Sequence, residues 1–189
     1  TRNNSVDKAK FEVLNHKYTD LSETRYGVAI LNDSKYGISV FDGQLRLSLH
    51  KGGLRPDFNG DKGEHYCEYA FLPHNCGFSV DSVAEPAYAF NYKPLVFAGT
   101  RELPSLIRSS ASNVIIETLK PCEDGGRAFI ARVYEAEGNY THTDLQLGFT
   151  PAAAELTNML EETQEALPAS QNLSLTFRPF EIKTIKISY

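Results

Sequence analysis

Tryptophan is absent, methionine occurs once and cysteine only three times, and the scarcity of cysteine already removes two explanations. Cys67, Cys76 and Cys122 are odd in number and form no C-x-x-C pair, so neither a disulfide framework nor a zinc knuckle is indicated. Free thiols in a reducing cytoplasm are the expectation. No apolar run approaches the roughly 20 residues of a membrane helix, and the polar start TRNNSVDKAK lacks an apolar signal core. A net charge of -5 supplies no basic footprint for nucleic acid or for an anionic membrane surface. G-x-S-x-G, a phosphate-binding glycine loop and H-E-x-x-H are all missing, which leaves hydrolase elbows, nucleotide binding and zincin chemistry unsupported.

What is present is a composition of 41% hydrophobic and 23% charged residues, sufficient for one large or two small cores. The first residue is Thr1 rather than Met, which reads as a processed chain or a piece of a longer one. Sequons at Asn3, Asn139 and Asn172 are too loose a pattern to carry weight. Strand signals dominate from Tyr26. Val28 and Ile30, then Ile38 and Val40, alternate across the interruption LNDSKYG (31–37), where Asn32 and Asp33 read as turn formers and Gly37 as a bend. Asp42-Gly43 reads as a two-residue hairpin turn, followed by Leu45, Leu47 and Leu49 at period two. Further strands are predicted at 65–72, 113–120, 128–135, 143–149, 172–177 and 181–188. Helix formers with Leu156, Met159 and Leu160 at helical spacing predict a helix over 152–167. The pattern lapses in AGTRELPSLIRSSA, so the organisation expected is all-β, with antiparallel sheets packed as a sandwich. Residues 1–98 form one β-unit, 99–110 a connector and 111–189 a C-terminal β-sandwich unit.

Several constellations invite chemistry. Asp57, Asn59 and Asp61 take the first, third and fifth positions of a calcium loop, with Glu68 at the twelfth, but Lys62 stands where the sharp turn wants glycine. A solvated or partner-facing loop is preferred, with calcium as the alternative. Asp57 with Asp61 and Glu64 with Glu68 offer the carboxylate pairs of sugar hydrolysis, a weak signal among 24 acids. His65 and Cys67, and likewise His74 and Cys76, sit at i, i+2, and a core thiol beside an edge histidine explains each pair better than zinc does.

The segments FEVLNHKYTDLSE (11–23), YGVAILNDSKYGISVFDGQLRLSLHK (26–51), RPDFNGDKGEHYCEYAFLPH (55–74) and AYAFNYKPL (87–95) resemble the C-terminal β-region of glycoside hydrolase family 38 α-mannosidases, nearest the cytosolic-type branch. NVIIETLKPCEDG (113–125), FIARVYEAEG (129–138) and RPFEIKTIKI (178–187) are similar to the end of the same proteins, in consistent order. The resemblance implies part of a galactose-mutarotase-like supersandwich followed by a small β-sandwich, in a cytoplasmic enzyme. It also implies a retaining, zinc-dependent exo-α-mannosidase that hydrolyses terminal α-mannosyl residues of glycans. Its nucleophile, second carboxyl and zinc, held by two His and two Asp, lie in an N-terminal catalytic domain that this chain lacks. No catalytic residue, metal or cofactor is therefore expected here, and the partners expected are that domain, a mannose-containing glycan and a possible second copy. A loop after LRLSLHK approaches the sugar site in the family, which nominates Lys51, Arg55, Asp57, Asp61 and His65 as rim or interface residues, with Lys35 and Tyr36 facing the catalytic domain. A stand-alone carbohydrate- or calcium-binding module is the alternative, with Tyr66, Tyr69, Tyr88 and Tyr92 as stacking rings, and the absence of tryptophan weakens it.

Overall fold

The computed structural model describes residues 11–53, 55–100 and 104–189. The sequon at Asn3 and residues 101–103 of the expected connector lie outside them. The chain divides between Val96 and Phe97 into two units, built almost wholly from antiparallel strands.

Among the described residues, the first unit carries six strands: β1 (Val13–Leu14), β2 (Tyr18–Ser22), β3 (Tyr26–Asn32), β4 (Gly37–Phe41), β5 (Gln44–Ser48) and β6 (Tyr69–Asn75). They form two sheets, ordered β1-β4-β5 and β2-β3-β6. Asp42 and Gly43 both take positive φ (50° and 69°), which lets a two-residue turn match the strand twist, and Phe41 pairs with Gln44 across it. Because side chains alternate along a strand, β3 presents Ala29 and Leu31 to one face and Val28 and Ile30 to the other. The first face is closed by a helical segment, where Val83 and Ala87 pack on Ala29 and Leu31.

That segment opens with a capping box: Ser79 Oγ accepts from Ser82 N–H at 3.1 Å, and Ser79 N–H donates to Ser82 Oγ at 3.2 Å. A π-helical turn, Val80–Ala84, leads into helix α1 (Glu85–Asn91), with Pro86 in its first turn where a missing N–H costs nothing. This helix is not among the elements expected from sequence, although Val80, Val83, Ala84 and Ala87 follow the i, i+3, i+4, i+7 pattern. The strand expected at 65–72 also needs correction, since pairing begins at Tyr69 and residues 65–68 belong to the preceding loop.

The second unit contains β7 (Ile107–Ser109), β8 (Val114–Pro121), β9 (Ala128–Glu135), β10 (Thr141–Leu147), β11 (Ala153–Thr157), β12 (Thr163–Leu167), β13 (Asn172–Phe177) and β14 (Ile182–Ser188). Sheets ordered β13-β10-β7 and β12-β11-β14-β9-β8 face each other as a sandwich. Leu145, Leu173 and Phe177 from one sheet and Val133, Ile185 and Ile187 from the other are almost wholly buried in a shared core. Strand β7 lies inside the stretch 99–110 expected as a connector, and its three residues pair with β10 instead.

The predicted helix over 152–167 is instead the hairpin β11–β12. Ala153–Thr157 pairs along the whole of β11 with β14, so sheet hydrogen bonds and the burial of Ala154 override the helix propensity of the segment. The turn is fixed by Asn158, whose Oδ1 accepts from the N–H groups of Leu160 (2.9 Å) and Glu162 (3.0 Å), while Glu161 takes a φ of 68°.

Candidate functional site

The residues nominated from sequence lie on the loop after β5 and on the turn between β3 and β4. Lys35, Tyr36, Lys51, Asp61 and His65 line one open hollow of about 340 Å³, to which the structure adds Glu12 and His50. A larger adjoining hollow, about 750 Å³, shares Lys35, Asp61 and His65 and extends to Asn59, Lys62 and Cys67. Arg55 and Asp57 line neither. Asp57 closes the loop on itself: its Oδ1 accepts from Asn59 N–H at 2.9 Å and its carbonyl from Gly60 N–H at 3.2 Å.

Within the hollow, the groups hold one another in place. His65 Nε2 lies 2.6 Å from the Asp61 carbonyl; a carbonyl only accepts, so Nε2 carries the proton. The His50 and His65 rings meet edge to face at 5.1 Å, and His50 Nε2 stands 3.7 Å from Asp61 Oδ2. Lys51 Nζ is 3.7 Å from Glu12 Oε2, and Glu12 also accepts from the Ser48 hydroxyl. These exposed pairs contribute little stability. What they supply is a rim of cations, imidazoles and a phenol, the donors suited to hydroxyl-rich or anionic ligands.

The turn carrying Lys35 and Tyr36 is anchored from beneath. Asn32 is fully buried as the last residue of β3; its N–H donates to the Lys17 carbonyl at 2.9 Å and its side-chain amide to the Asn15 carbonyl at 3.2 Å. The Asn91 amide of α1 donates to the Asn32 carbonyl at 3.1 Å. Asn32 is thus a tie between distant segments, not the local turn former expected. Asp33 takes the turn role, and a hydrogen bond from the Ser34 hydroxyl (2.7 Å) holds its carboxyl below the ordinary range. Lys17, buried and with a φ of 68°, sets its ammonium 4.2 Å from the Tyr88 ring centroid.

The acids proposed for calcium serve different partners. Asp61 faces His50, and Glu68 lies 3.8 Å from Lys93 Nζ while its carbonyl accepts from Asp33 N–H. Among the described residues no three His, Cys, Asp or Glu side chains converge as metal ligands, so these residues do not fit a zinc ion. The His74 side chain is only 5% exposed, with Nε2 at 2.7 Å from Asp20 Oδ1, while Cys76 is exposed, so that pair is also divided.

Comparison with known proteins adds an independent line. Residues 1–59 match the C-terminal domain of glycosyl hydrolases family 38, and residues 113–185 match the C-terminal beta sandwich domain of the same family. Human Alpha-mannosidase 2C1 is 36% identical over 97% of this chain and 18% of its own length. Alpha-mannosidase G of Dictyostelium discoideum is 35% identical over the same shares, and the Alpha-mannosidase of Saccharomyces cerevisiae is 32% identical over 99% of this chain and 20% of its own. The chain therefore spans about one fifth of the length of these relatives. A solved alpha-mannosidase from Enterococcus faecalis V583 shares the fold at a TM-score of 0.66 and 18% identity, covering 93% of this chain and 21% of that one.

Proposed function

The chain belongs to glycosyl hydrolase family 38, as a C-terminal part of its α-mannosidases, and from that premise we propose that it is the noncatalytic β-region of a zinc-dependent, retaining exo-α-mannosidase acting on the terminal α-mannosyl residues of glycans. The observation that carries the reading is the 36% identity with an α-mannosidase over 97% of the chain. In this reading the nucleophile, the second carboxyl and zinc belong to a catalytic domain elsewhere in the longer enzyme. Retaining hydrolysis needs both carboxyls about 5 Å apart across one bond, and the acids of the hollow are engaged with histidine and lysine instead.

The hollow formed by Lys35, Tyr36, Lys51, Asp61 and His65 supports a rim role. The ammonium groups of Lys35 and Lys51 donate to sugar hydroxyls and, with the His65 ring beside them, orient the glycan beyond the scissile bond. Arg55 and Asp57 keep only a supporting role, through the shape of the loop. We further propose a cytoplasmic location, with the mannose-containing glycan and the catalytic domain as partners.

The test compares hydrolysis of an aryl α-mannoside by the 189-residue chain and by the full-length enzyme, each with and without zinc. The chain alone is expected to be inactive and the full-length enzyme zinc-dependent; turnover by the chain overturns the reading. In the full-length enzyme, His65→Ala is expected to lower kcat/KM for an oligomannoside several-fold more than for the aryl mannoside. Equal effects on the two substrates remove His65 from the glycan rim.

A further inference from the structure

We infer that the larger hollow beside the glycan rim is an anion cradle that takes the phosphate monoester of a sugar phosphate, which makes a phosphorylated mannose a ligand of the enzyme. This names a ligand class for the site proposed above and rests on that reading.

The hollow reverses the sign of the chain. The net charge of the protein is -5, yet among the lysines and acids that line the hollow of about 750 Å³, Lys35 and Lys62 are cationic and only Asp61 is anionic. Asp61 Oδ2 stands 3.7 Å from His50 Nε2, and Asp33, two positions from Lys35, accepts from the Ser34 hydroxyl instead. Among the described residues Lys35 and Lys62 form no ion pair. Two ammonium groups gathered at one concave surface repel each other, and an anion between them turns that repulsion into attraction.

The backbone favours a compact anion. Gly52, Gly53, Gly60 and Gly63 also line the hollow. A side chain at Gly60, where φ is 49°, would collide with the Gly53 carbonyl, so the two arms of the loop cross in contact. A β-carbon at Gly52 would stand 3.5 Å from His50 Nε2 and 3.9 Å from Asp61 Oδ2, between two of the lining groups. Among the described residues the N–H groups of Gly52, Gly53 and Gly63 meet no acceptor. Bare backbone N–H groups beside lysines are the means by which oxyanions are held. A phosphate monoester brings about -1.5 to -2 charges and three acceptor oxygens on one centre, enough for both ammonium groups. A carboxylate brings a single charge and a neutral sugar none. The sugar follows from position, since the hollow shares Lys35, Asp61 and His65 with the smaller one that orients the glycan.

Titration calorimetry on the full-length enzyme tests this with three probes: mannose, mannose phosphorylated at its primary hydroxyl, and inorganic phosphate. Aryl α-mannoside hydrolysis on the same sample reports the proposed function separately. Mannose phosphate is expected to bind at least about 10-fold more tightly than mannose or phosphate at low salt, with a margin that shrinks as ionic strength rises. Lys62→Ala is expected to remove most of that margin, and so is Gly52→Leu, which keeps every charge and fills the hollow. Equal binding of mannose phosphate and mannose overturns the inference and leaves the lysines to carboxylates elsewhere in the enzyme. Equal binding of mannose phosphate and inorganic phosphate overturns it in favour of the free ion. A margin that survives both substitutions overturns it by placing the phosphate outside this hollow.

Discussion

At the scale of single residues, a buried carboxylate held by four donors lies outside the candidate site. Glu135 ends β9 with its carboxylate fully buried. Burial alone raises its pKa, but the N–H groups of Phe180 (3.0 Å), Glu137 (2.9 Å) and Gly138 (2.8 Å) and the Asn113 amide (2.9 Å) all donate to it, and the net shift is downward. A folded pKa below the ordinary 4.5 means that the stabilisation is fully present above the unfolded value and is lost as pH falls through the folded one. Glu135→Gln turns an acceptor oxygen into a donor facing donors, at a cost on the order of 2 kcal/mol. The expected result is a melting temperature lower by about 10 °C at neutral pH, and a flatter loss of stability below pH 4.5 than in the unmodified chain. Identical acid titrations would remove Glu135 from this account. The position was legible in part: Ala131, Val133 and Glu135 share the buried parity of one strand. What sequence does not contain is the return of the chain at Phe180, which brings the decisive donor.

At the scale of elements, the strands predicted at 128–135 and 172–177 match β9 and β13, and the period-two leucines match β5, where Leu45 and Leu47 are half-buried between exposed Gln44 and Arg46. The pattern failed over 152–167, where the residues have helix propensity and the deciding contacts come from β14, nearly 30 positions on. It missed α1, because seven residues give too short a period to stand out beside long strands. The nominated site fared similarly. Neighbours on one loop, such as Lys51, Asp61 and His65, converge, and Glu12, distant in sequence, joins them through its bond to Ser48 and its pair with Lys51. The hairpin β11–β12 offers a direct check of the competition between propensity and pairing. Asn158→Ala removes two acceptor contacts from the turn and is expected to cost about 1 kcal/mol with no gain of helical signal in circular dichroism. A rise in helicity would show that the turn, and not β14, holds the segment extended.

At the scale of the molecule, the two units differ in how far their cores are closed. The second seals the interior of its sandwich with fully buried Leu145, Phe177, Ile185 and Ile187. The first closes the face of β3 beneath α1, where Ala29 and Val83 are fully buried, and leaves Leu21, Tyr26 and Phe71 on the other face in solvent. Apolar burial scales with stability at about 25 cal/mol per Å², so the two halves should part company when separated. Residues 97–189 alone are expected to unfold in a single cooperative, reversible transition without binding a hydrophobic dye. Residues 1–96 alone are expected to bind the dye and to melt lower or self-associate. Were the first half to melt cooperatively as a monomer with no dye binding, the sheet face that carries Leu21, Tyr26 and Phe71 would be an ordinary surface.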